Sequence, residues 1–157
     1  MLRQIALLVY PARASKLNGV RAHWALFVPS SSAETKGTLI QVLGTPFTGY
    51  GLEFKRGYDL ESVREKFQKH VLGDIEERWV ADADGNGVDI QPRDEVEKWA
   101  KRIEVPGVHK EPLNPSSGRR CQEWTRDLVE VLVKRGILLE SSVQVLDYAK
   151  SLEGVGA

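Results

Sequence analysis

Three apolar runs fill most of the first 44 residues of this chain: QIALLVY at 4–10, AHWALFV at 22–28 and GTLIQVLG at 37–44. Each is too short to cross a bilayer and has the length of a buried strand. The polar connection PSSSAETKG predicts a hairpin between the second run and the third, and PARASKLNG is a loop after the first. Alternation puts His23, Ala25 and Phe27 on one face of the second strand and Trp24, Leu26 and Val28 on the other. In the third strand Gln41 shares a face with Leu39 and Leu43, a polar group in an apolar stripe that needs a partner.

The second half of the chain changes period. In RDEVEKWAKRI, residues Val96, Trp99, Ala100 and Ile103 form one helical stripe that ends before Pro106. In CQEWTRDLVEVLVKRG the stripe is Trp124, Leu128, Val131, Leu132 and the stem of Arg135, with Gly136 as the stop. SSVQVLDYAKSLEG gives a last helix with a serine cap and Val143, Leu146 and Ala149 on its apolar side. The middle is less periodic. TPFTGYGLEFKRGYD (45–59) reads as a loop or hairpin over the sheet, and the next stretch favours a short strand near 66–72. Strands followed by helices predict an α+β fold, an antiparallel sheet with packed helices. With no repeat or linker in 157 residues, one domain over 1–157 is expected.

Basic and acidic residues both number 22, so no global charge draws the chain to nucleic acid or to an anionic membrane, and neither is expected as a partner. One cysteine excludes an internal disulfide, and three scattered histidines give no metal spacing. The start lacks a basic segment and a small-residue cleavage site, so a cytoplasmic location is the default. DADGNGVDIQPR opens like a calcium loop at Asp82, Asp84 and Asn86. It has Arg93 where the loop needs a bidentate Glu, and so reads as an Asx-rich turn. There is no GxGxxG, P-loop or GxSxG, and no cofactor is expected.

Cys121 is the residue that suggests chemistry. It lies in the first turn of its helix, three residues before Trp124, where unpaired N–H groups and the neighbouring Arg119 and Arg120 favour a thiolate. His23 is the best-placed base, expected on a strand face beneath that helix, and Gln41 can fix the imidazole tautomer as the third member of a Cys-His-Asn site does. His70 and His109 are rival bases. Trp24, Tyr50 and Trp124 are candidate walls of an acyl pocket.

HWALFV, GTLIQV and the later RCQEWTRDLVEVL resemble the lecithin retinol acyltransferase and H-Ras-like suppressor group, whose corresponding blocks run H-W-A-L-Y-V-G and N-C-E-H-F. The resemblance covers about 35 residues in two separated blocks. It implies a circularly permuted papain-like fold of the NlpC type, with His23 as base and Cys121 as nucleophile. Gln41 stands where that group has a second histidine, Arg120 replaces the asparagine before the cysteine, and Glu123 with Trp124 replaces His-Phe. The group's apolar C-terminal anchor has no counterpart in SLEGVGA, so no integral membrane anchor is expected. The chain also resembles proteins of filamentous fungi. The function expected is acyl transfer to, or hydrolysis of, a small-molecule ester, amide or thioester through a Cys121 acyl-enzyme. The alternatives are a non-catalytic binding module on the same fold and an intramolecular cyclase of a biosynthetic thioester.

Overall fold

A computed structural model describes residues 2–11, 21–82, 85–114 and 118–153. Six strands form one antiparallel sheet: β1 (Leu2–Tyr10), β2 (His23–Pro29), β3 (Lys36–Thr45), β4 (Gly49–Asp59), β5 (Gln68–Glu76) and β6 (Gly87–Asp89), in the spatial order β5-β1-β2-β3-β4-β6. Among the described residues three α-helices follow, α1 (Glu95–Arg102), α2 (Cys121–Lys134) and α3 (Ser141–Ser151). The three N-terminal runs are central strands because they are apolar on both faces, and both faces are covered. The loop expected at 11–19 lies almost wholly outside the described residues, as does Asp84 of the Asx-rich turn.

Pleating sorts the side chains into two cores. Ile5, Leu7, Val9, Trp24, Leu26, Ile40, Val42 and Phe54 face the helices and pack with Trp124, Leu128, Val129, Leu132 and Leu146. On the other face Leu8, Tyr10, Ala25, Phe27, Leu39 and Tyr58 form a smaller core, closed by Leu60, Val63 and Phe67. That second core makes 60–67 a cover over the outer face and starts β5 at Gln68, two residues later than the expected strand.

The segment 45–59 takes the hairpin form of the sequence reading, but lies within the sheet and not over it. It contributes β4, a full strand paired along β3 from Thr45↔Gly49 to Lys36↔Asp59. The register shifts between Gly37 and Leu39, and Gly57 at φ 64° supplies the bulge. The bulge moves Tyr58 to the outer face, where its hydroxyl lies 2.7 Å from that of Tyr10. Arg56, just before it, is buried on the helix side because Glu97 of α1 meets it at 2.6 and 2.9 Å and Asp89 at 3.0 and 3.1 Å.

Helix ends follow local chemistry. Asp94 caps α1 by accepting from the Glu97 N–H at 2.8 Å. After α2, Gly136 at φ 76° stops the helix as expected, and the Ile137 N–H returns to the Leu132 carbonyl at 2.9 Å. Within α2 the buried stripe includes Val129 in place of the expected Val131, and Arg135 is exposed with its guanidinium 4.4 Å from the Trp99 ring centroid. The serine cap expected for α3 does not form. Glu140 is the N-cap residue, without a side-chain bond, and Ser142 turns inward to donate to the Leu72 carbonyl at 2.9 Å, pinning α3 to β5. None of the described helices is long and apolar enough to cross a membrane.

Candidate functional site

The N-terminus of α2 lies against the start of β2, where Gln122 Nε2 donates to the Ala22 carbonyl at 3.0 Å. Arg120 is the N-cap in extended conformation, and Glu123 reaches back to accept its N–H at 2.7 Å. This is half of a capping box, since the guanidinium at the N-cap donates and cannot accept. Cys121 is the first helical residue, and Thr125 Oγ1 donates to its carbonyl at 2.7 Å.

Cys121 is 1% exposed and belongs to the helix-side core. Burial pushes its thiol above the usual range and Glu123 pushes the same way, against the N–H groups of Trp24 and Gln122 and the charge of Arg21. The thiolate-favouring surroundings expected from the sequence are therefore outweighed by desolvation. Arg119 is committed elsewhere, to Asp127 at 2.6 and 2.9 Å and to the Glu104 carbonyl at 2.6 Å. The cation that opposes the shift is Arg21, at the entry to β2, which pairs with Glu123. Its sequence signal was weak, an arginine two residues before the histidine with no periodicity of its own.

His23 opens β2. Its Nε2 lies 2.7 Å from Gln41 Oε1, and Gln41 Nε2 donates to Glu53 Oε2 at 2.8 Å. Gln41 can donate to Glu53 only through its amide nitrogen, so its oxygen faces His23 and accepts. Nε2 therefore carries the imidazole proton and Nδ1 is the basic nitrogen. The orienting role expected of Gln41 has this geometry behind it. Glu53 was missed, because it lies in the segment read as a loop or hairpin over the sheet, without a register to place it.

The ring of His23 is not beneath α2 as expected. The two-residue period that places Trp24 on the helix side places His23 on the outer face, with its ring centroid 5.7 Å from that of Tyr10. Cys121 and His23 thus approach β2 from opposite faces. The main-chain N–H of Trp24, the residue after His23, is among the groups that hold the Cys121 thiol down against burial. β1 pairs with β2 as far as His23, whereas β3 pairs with it only from Leu26 to Pro29.

The other candidates separate. Tyr50 borders the site; burial first, and then the charges of Cys121 and Glu123, push its hydroxyl up to about 12, against the pull of Arg120 and Arg21. Trp124 is fully buried and its indole N–H donates to the Ile103 carbonyl at 3.4 Å, so it serves the core and not a pocket wall. The Trp24 side chain is 2% exposed in the same core. His70 lies on β5 against Tyr148 at 6.1 Å, with its basicity lowered by burial. His109 meets the Arg119 carbonyl through Nε2 at 2.6 Å. Asp82, from the calcium-like segment, is engaged by Arg3 at 2.6 Å and by the N–H of Ser31 at 3.0 Å.

No curated protein and no solved structure matches the chain. The model of a family of unknown function (DUF6540) matches residues 9–139, and the chain belongs to that family.

Proposed function

We propose that this protein is a thiol acyltransferase or hydrolase of the circularly permuted papain-like class, acting on a small-molecule ester, amide or thioester through Cys121. The observation that carries the reading is a thiol that opens α2 and is favoured as thiolate by the N–H of Trp24, next in sequence to a histidine held by the Gln41–Glu53 relay. The Gln41–Glu53 chain fixes which imidazole nitrogen carries the proton, as a base that has to present one nitrogen requires. The order of elements, with the histidine on an early strand and the cysteine opening a late helix, is the one the sequence resemblance implies.

In this reading the thiol is neutral at rest. His23 swings at the first residue of its strand, where β3 is unpaired, and Nδ1 takes the Sγ proton as sulfur attacks the carbonyl carbon. The S–C bond forms, and the carbonyl oxygen takes the electron pair under the N–H groups at the start of α2. Collapse re-forms the C=O bond and expels the leaving group, which takes the proton from His23. Water or an acceptor alcohol or amine then repeats the sequence on the thioester and regenerates the thiol.

The experiment is to incubate the protein with p-nitrophenyl acetate and with acyl thioesters of increasing chain length, and to measure intact mass. One acyl group on Cys121, absent in Cys121→Ser and formed roughly 100- to 10,000-fold more slowly in His23→Ala, supports the reading. The binding-module alternative is favoured by the 1% exposure and the raised pKa of the thiol. It expects no acylation of the folded protein by any of these donors.

A further inference from the structure

The residue before the nucleophile is the least expected one in the site. Arg120 is fully buried, and only Nη2 has acceptors: the Asn114 carbonyl at 2.7 Å and the Pro112 carbonyl at 3.4 Å. Nε and Nη1 are shut away from water with no acceptor among the described residues. A buried guanidinium with two nitrogens unpaired is costly to hold, and loss of solvation lowers the proton affinity of Arg120. Glu123 favours the charge without pairing with it, because its carboxylate is engaged by Arg21 and by the main-chain N–H of Arg120. Arg120 therefore adds a positive charge to the end of α2 where unpaired N–H groups already favour an anion, with Tyr50 and Cys121 as its neighbours.

We propose that Arg120 and the opening turn of α2 form an anion site that binds a carboxylate or phosphate group of the substrate beside the Cys121 thiol. This inference rests on the reading of Cys121 as the nucleophile and adds the substrate class: an acyl donor carrying a negative charge close to its reacting carbonyl. It also accounts for the arginine in place of asparagine in the block that carries the resemblance. A second buried donor without a partner among the described residues is the Trp24 indole Nε1, on the residue whose main-chain N–H favours the Cys121 thiolate.

The first arm of the test is binding without turnover. Thermal unfolding of the full chain is followed in titrations with succinate, inorganic phosphate and neutral succinamide. The expected result is saturable stabilisation by an anion and none by the diamide, with the anion affinity at least roughly tenfold weaker in Arg120→Met. Succinate and phosphate, compared at equal ionic strength, show which anion the site prefers. No saturable response to either anion, or the same affinity in Arg120→Met, overturns the proposal. If Arg120→Met does not fold, the Arg120 Nε–H resonance of the wild-type protein decides. A saturable shift with succinate or phosphate supports the site and no shift rejects it.

The second arm reads position. The ratio of the iodoacetate to the iodoacetamide alkylation rate at Cys121 should exceed that of free cysteine and fall to it in Arg120→Met; an equal ratio in both proteins rejects the site. Anion binding that persists in Cys121→Ser, with no acyl-enzyme in the wild type, would leave the anion site standing and reject the thiol chemistry. An acyl-enzyme without anion binding would do the reverse.

Discussion

The thiol of Cys121 shows how far a residue can be read before its surroundings are known. Its place at a helix start, its helix face and its pairing in sequence with an arginine pair are all visible in the chain, and each argues for a thiolate. Desolvation is not visible, since it depends on Trp24 and α2 closing over the sulfur, and it reverses the sign. A group whose acid form is favoured by folding contributes stability that is complete below its ordinary pKa and lost as pH rises through the raised value. Wild-type protein should therefore lose more stability than Cys121→Ala between neutral and alkaline pH, measured by urea unfolding across that range. Iodoacetamide should label Cys121 more slowly than free cysteine at pH 7 and accelerate as pH rises. The Gln41 partnership was legible because a polar residue in an apolar strand stripe has few ways to be satisfied. Gln41→Ala should slow acylation by up to roughly 100-fold while leaving the fold intact, since it removes the acceptor that keeps the proton on Nε2 of His23. Acylation of Gln41→Ala at the wild-type rate would remove the relay from the mechanism.

At the scale of elements, the runs with one dominant period were readable and those set by distant partners were not. β1, β2 and β3 are apolar on both sides, and the stripes of α1, α2 and α3 need no further information. β4 was half hidden because its glycines and aromatics read equally as a loop or a hairpin over the sheet. Gly57 sits at a bulge, and Arg56 is tolerated in the interior only because Glu97, 41 residues away, neutralises it. Removing one partner leaves a buried charge, so Glu97→Ala should cost about 3–5 kcal/mol in chemical unfolding, whereas pairing Glu97→Leu with Arg56→Met should recover much of that loss. The cap of α1 offers a test with a sign. Burial, helped by Glu97, pushes the Asp94 carboxyl up to about 6. The stability tied to its protonation is complete below the ordinary carboxylate range and lost as pH rises through about 6. Asp94→Asn keeps a cap acceptor and carries no charge, so its stability relative to wild type should increase between pH 4 and pH 7. A constant difference across that range would contradict the shift.

For the molecule as a whole, the class α+β followed from strands preceding helices, and the antiparallel sheet from short connections. The sheet order did not follow. β5 returns across the molecule to pair with β1 while β4 flanks β3, a choice made by the register of Ala6 to Val9 against Gln68 to Val71 and by the outer core under 60–67. That outer core takes His23 with it, and the helix-side core takes Cys121. The two halves of the candidate site are thus delivered by opposite faces of one sheet, and the proposed chemistry requires them to meet where β2 and β3 part. Intact-mass analysis after reaction with p-nitrophenyl acetate tests this most directly. The expected result is a single acetyl group on Cys121 that turns over in the wild type and forms far more slowly in His23→Ala. A folded protein whose Cys121 takes no acetyl group, or takes it equally fast without His23, would contradict the account.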